Sequence, residues 1–162
     1  MSDNVYLGNP NLKKANTPIE FTQEQIYEFM RCKEDPVYFA NNYIKIVSLD
    51  EGLTQFHPYH FQEKLINNFH ENRFNICKMP RQTGKSTTVV SYLLHYAVFN
   101  DSVNIGILAN KAATARELLG RLQTAYENLP KWMQQGIIAW NKGSLELENG
   151  SKILAASTSA SA

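Results

Sequence analysis

Apolar side chains recur three and four positions apart through most of this chain, which predicts helices more often than strands. Ile26, Phe29 and Met30 make one stripe, and Thr22 with Gln25 offers a capping box to start it. Asp35-Pro36 starts a second helix, with Val37, Phe39, Ala40, Tyr43 and Ile44 on its buried side. Gly52–Gln55 reads as a short link, after which FHPYHFQ leads into a third helix carrying Leu65, Ile66 and Phe69. Residues 73–78 are short, partly apolar and a strand candidate. A turn over 79–83 and a strongly apolar helix from 84 to about 99 follow. A second strand spans 103–109. A long helix over 111–129 turns Ala115, Leu118, Leu119, Leu122 and Ala125 inward, and Pro130 ends it. Ser144–Leu147 and residues 152–155 flank Asn149-Gly150, the strongest short hairpin signal. The alternation predicts an α/β fold with a parallel sheet, right-handed crossovers, N-terminal helices and an appended β-hairpin. Residues 1–20, with Gly8, Pro10 and Pro18 amid Asn and Lys, read as an extended arm with little core of its own.

Composition narrows the class. At 162 residues the chain has room for about one domain, and 43% apolar with 19% charged residues excludes a wholly disordered one. A formal net charge of +1 provides no global field for nucleic acid or anionic lipid, so any such surface is local. Cys32 and Cys77 lie far apart without zinc-ligand spacing, which fits a reducing compartment. The first residues lack the basic-then-apolar run of a signal peptide, and residues 86–100 are too short and polar to span a bilayer. The expectation is a soluble, intracellular chain.

The sharpest chemical feature is Met79-Pro80-Arg81-Gln82-Thr83-Gly84-Lys85-Ser86. It carries the second half of the phosphate-binding pattern G-x-x-x-x-G-K-[ST], between a predicted strand and a predicted helix, with Met79 at the first Gly position. A helix N-terminus presents free N–H groups and a favourable dipole to phosphate. Lys85 would pair with β- and γ-phosphates and Ser86 would ligate Mg²⁺; the alternative is a solvated lysine at a helix entrance. Arg81 either neutralises γ-phosphate charge or pairs with a surface carboxylate, and spacing alone does not choose.

About twenty residues upstream, Gln62 sits in Phe56-His57-Pro58-Tyr59-His60-Phe61-Gln62. Its amide matches the N6/N7 edge of adenine, and neighbouring aromatics could stack on the base, although a glutamine here also serves as a helix cap. His57 and His60 read as flanking the helix entrance rather than binding metal. Leu145-Glu146-Leu147-Glu148 mimics an acidic strand end, but alternation places both glutamates on one outward, solvated hairpin face. The other acids after Lys85, which are Asp101, Glu117 and Glu127, do not follow an apolar strand. A Mg²⁺-binding Asp and catalytic Glu pair is therefore not expected in this chain.

Together GNPNLKKAN, DPVYFA, the P-x-x-F-Q segment, PRQTGKST, GILANK and GIIAWNKGSLELENGS resemble the ATPase domain of the terminase large subunit, the DNA-packaging motor of tailed bacteriophages, most closely the T-even type. The resemblance implies a RecA-like (ASCE) phosphate-loop fold that uses ATP and Mg²⁺. It gives Gln62 the adenine edge and makes Arg81, Gln82, Thr83, Gly84, Lys85, Ser86 and Thr87 nucleotide-binding. Lys85 and Arg81 are then catalytic, Arg81 as a finger in cis, Ser86 is the metal ligand, and Thr87 faces an α-phosphate oxygen. The implied partners are double-stranded DNA, the portal of the prohead and the small terminase subunit. A homo-oligomeric motor in the host-cell cytoplasm follows, without a membrane. In the family an Asp-Glu strand and a nuclease domain lie beyond the matching region. Residues 21–162 are accordingly expected to be an incomplete ATPase domain, binding ATP weakly with negligible turnover. Two other readings stay open: a helicase-type ATP-driven translocase, and a non-catalytic module that docks a partner through its first fifty residues.

Overall fold

Capping chemistry fixes the first two helices. In the computed structural model, which describes residues 4–48 and 50–158, Thr22 Oγ1 accepts from Gln25 N at 3.2 Å while Gln25 Oε1 accepts from Thr22 N at 3.0 Å. Asp35 Oδ1 accepts from Tyr38 N at 2.8 Å, and Pro36 fills the first turn of the next helix, where no N–H is needed. The chain order is β1 (Val5–Tyr6), β2 (Asn9–Lys13), α1 (Gln23–Glu34), α2 (Pro36–Tyr43), β3 (Lys45–Ser48), β4 (Gly52–Gln55), α3 (His60–Glu71), α4 (Lys85–Phe99), β5 (Asn104–Ala109), α5 (Ala112–Glu127), β6 (Ile137–Trp140), β7 (Ser144–Leu147) and β8 (Lys152–Ser157).

Helix α4 is the hub. From Thr88 onward it is buried on several sides, with Leu94 and Val98 packed in one core with Phe39, Ile66, Leu119 and Leu122. The main sheet runs β5-β8-β7-β6. Its buried face carries Ile107, Leu145, Leu147 and Ile153, while Leu108, Leu154 and Ile138 stay exposed on other positions.

Four expectations change. Residues 73–78 form no strand: Phe74 is 83% and Ile76 fully exposed. A strand needs a neighbour to bond, and none of the described strands runs beside this segment. Gly52–Gln55 is not a link but β4, antiparallel to β3 with Ile46 opposite Thr54. The β7–β8 hairpin is not appended. Its second strand lies parallel to β5, from Asn104 opposite Lys152 to Ala109 opposite Ser157, so the sheet is mixed rather than parallel. The first twenty residues have a packing role of their own. β1 pairs with β2, Leu12 is buried, and Gln134 Oε1 accepts from Lys13 N at 2.9 Å.

The glutamates of the hairpin also part company. Glu146 reaches across to Lys152 at 2.9 Å, as an outward face would. Glu148 instead turns inward as a clasp: Oε1 accepts from Gly136 N at 2.7 Å and meets Lys13 Nζ at 2.9 Å, and Oε2 accepts from Asn16 N at 2.8 Å. Strand β7 has ended at Leu147, so alternation no longer governs the next side chain.

Candidate functional site

Gly84 decides the local path of the chain before α4. Its φ of +74° lies in the left-handed region, and as N-cap it supplies no side chain to the first-turn amides. A Cβ there would stand 2.5 Å from Gln62 Nε2. Torsion thus favours glycine here, and a Cβ would also push the Gln62 amide from its place. Gln82 also has positive φ, at +61°, which bends the loop sharply within three residues.

Residues 81–87 and Arg121 from α5 line one shallow depression of about 320 Å³. Lys85 lies partly buried in it, its Nζ donating to Met79 O at 2.8 Å and Pro80 O at 2.9 Å. Thr83 Oγ1 donates to Pro80 O at 3.1 Å, and Thr88 Oγ1 to Gly84 O at 3.0 Å, so the loop is tied internally at both ends. Ser86 and Arg81 are exposed, and Thr87 is half-buried at the edge. Among the described residues Arg81 has no ion pair, which leaves the surface-carboxylate alternative unrealised.

Gln62 reaches the loop but does not present its amide to it openly. The residue is 3% exposed; Oε1 accepts from Tyr59 N at 2.9 Å and Nε2 donates to Thr83 O at 3.3 Å. One side chain therefore caps α3 and fastens the loop. Tyr59 and Phe61 stack on each other, 5.9 Å between centroids, and both are exposed. His60 contacts Glu63 at 3.5 Å, and no group of three metal-ligating side chains occurs among the described residues.

Arg121 is the residue that sequence reading misses. Its Nη2 donates to Glu117 Oε1 at 2.7 Å, four positions earlier on α5, a spacing that reads from sequence as an ordinary surface pair. Arg121 and Thr87 also border a second groove of about 750 Å³ between β3, α4 and α5. No described helix is long and apolar enough to cross a membrane.

The likeness to known proteins is one of fold and family. The solved structure of the HK97 bacteriophage large terminase superposes with a TM-score of 0.64 over 80% of this chain, at 17% identity, which speaks to fold. The chain spans 28% of that protein's length. The family described as "Terminase large subunit, T4likevirus-type, N-terminal" matches residues 76–162, the stretch from the loop through the sheet. By that match over more than half its length, the chain belongs to the T4-like terminase large-subunit family, N-terminal part.

Proposed function

We propose that this chain is the nucleotide-binding part of a phage DNA-packaging motor, with a RecA-like phosphate loop at residues 79–86. The observation that carries the reading is the uncapped start of α4. Gly84 leaves the first-turn amides without a capping side chain, and three cationic side chains gather around them. An anion with several phosphate groups satisfies both features.

The residues present fit ATP with Mg²⁺. Lys85 would exchange the Met79 and Pro80 carbonyls for β- and γ-phosphate oxygens, acceptors that carry full charge. The exposed Ser86 hydroxyl would hold Mg²⁺, and Thr87, one residue on, would contact the α-phosphate. Held there, Mg²⁺ would supply positive charge against the phosphates. Arg81, free of ion pairs among the described residues, would neutralise charge developing at the γ-phosphate in cis. Gln82 and Thr83 shape the loop. For Gln62 to read an adenine edge, its Nε2 must leave Thr83 O, so base recognition and loop position are exchanged through one amide.

Hydrolysis needs a carboxylate to orient water, and none of the described residues lining the depression is an acid. We therefore expect binding without appreciable turnover in this chain. In the whole motor the cycle would drive double-stranded DNA into a prohead, through a homo-oligomer working with portal and small subunit in the host cytoplasm. Titration of the chain with ATP by calorimetry tests the loop. Lys85→Ala should weaken binding at least about tenfold, and unchanged affinity would remove the phosphate-loop assignment.

A further inference from the structure

The depression at the start of α4 is lined by Arg81, Lys85 and Arg121, and none of the described residues lining it is an acid. Two of these cations come with the loop. Arg121 comes from α5, thirty-six positions after Lys85 in sequence, and reaches the same depression by tertiary packing. Its side chain is 52% exposed, and its ion-pair partner is Glu117 on its own helix. Such a pair at i,i+4 is worth little in water, so it holds the guanidinium loosely rather than locking it. A guanidinium beside phosphate-binding amides and a lysine offers a planar fork that suits two oxygens of one phosphate.

We infer that Arg121 is a phosphate-binding residue, carried by Glu117 in the free chain and released to the ligand when a polyphosphate occupies the loop. The inference rests on the phosphate-loop reading above. Lys85 and Arg121 then divide the work: the ammonium, as a point charge, takes oxygens inside the loop, and the guanidinium takes the outer phosphate from the side. Glu117, four residues back, sets how readily the guanidinium leaves. Loss of Arg121 should thus be felt by ligands with several phosphates and ignored by those with one.

Calorimetric titration of the 162-residue chain with ATP and with AMP, in wild type, Arg121→Ala, Arg121→Lys, Glu117→Gln and Lys85→Ala, tests this, alongside thermal melting. Arg121→Ala should weaken ATP about tenfold while leaving AMP and the melting temperature unchanged. Arg121→Lys should recover part of the loss, and Glu117→Gln should tighten ATP. An unchanged ATP-to-AMP ratio in Arg121→Ala, with Lys85→Ala impaired, overturns the role of Arg121 and leaves the loop standing. Equal losses for ATP and AMP also overturn it, as a merely structural effect. Wild-type affinity in Lys85→Ala, or no binding by wild type, overturns the loop reading and this inference with it.

Discussion

The imidazole of His95 shows how one side chain settles a local problem and creates another. Helix α1 ends at Glu34, and Pro36 has no N–H, so Cys32 O lacks a helical donor; His95 Nε2 lies 2.8 Å from it. That bond makes Nε2 the protonated nitrogen and leaves Nδ1 buried without a partner among the described residues. Burial holds the pKa down to about 4, and nearby His70 adds to the effect against the pull of the Cys32 carbonyl. The folded form stays neutral while the unfolded chain takes up a proton near pH 6.5, so stability falls as pH drops from about 6.5 to about 4. The urea midpoint should therefore decline from pH 7.5 to pH 5 in wild type and much less in His95→Phe. Equal slopes would remove His95 from the account. Gly84 makes a second test at this scale. Gly84→Ala should cost about 1–2 kcal/mol from the left-handed torsion alone, and more from the contact with Gln62. In the Gln62→Ala, Gly84→Ala double variant the contact penalty disappears and the torsional one stays, a non-additivity readable from denaturation midpoints.

Elements were legible where their signals are local. Thr22 with Gln25, Asp35 with Pro36, and Asn149-Gly150 each act within four residues, and each appears where the sequence places it. What sequence could not show depends on distant partners. Lys13 is buried because Gln134 and Glu148, more than 120 residues on, receive it. The segment 73–78 has a strand's composition but lacks a described neighbour. A lone Gln62 reads more readily as a cap than as a base reader, and the structure uses it as a cap that also holds the loop. The Glu148 clasp is where β2 meets the sheet. Burial opposes its charge, but the bonds from Lys13, Gly136 and Asn16 win and hold its pKa below the ordinary 4.5. Its contribution is complete above pH 4.5 and is lost as pH falls through the lowered value. Glu148→Gln leaves Lys13 uncompensated and should cost about 2 kcal/mol at pH 7, measured by urea denaturation. A loss below about 0.5 kcal/mol would show that the arm holds without the clasp.

For the molecule as a whole, the sheet is covered unequally. Strand β5 is bonded on one side among the described residues, and its Leu108 is 65% exposed, with Leu154 at 58% on the neighbouring strand. An apolar open edge favours association between copies. Replacing Leu108 and Leu154 by Lys should reduce concentration-dependent association in sedimentation velocity, and association unchanged by both substitutions would place its cause elsewhere. The same long-range architecture governs when the fold can close. Asn16 bonds to Glu148 across 132 residues. A ribosome adding about 5–20 residues per second needs roughly 7–26 s to span that gap. Throughout that interval the arm waits without its anchor, so a segment made early in this stretch is secured late.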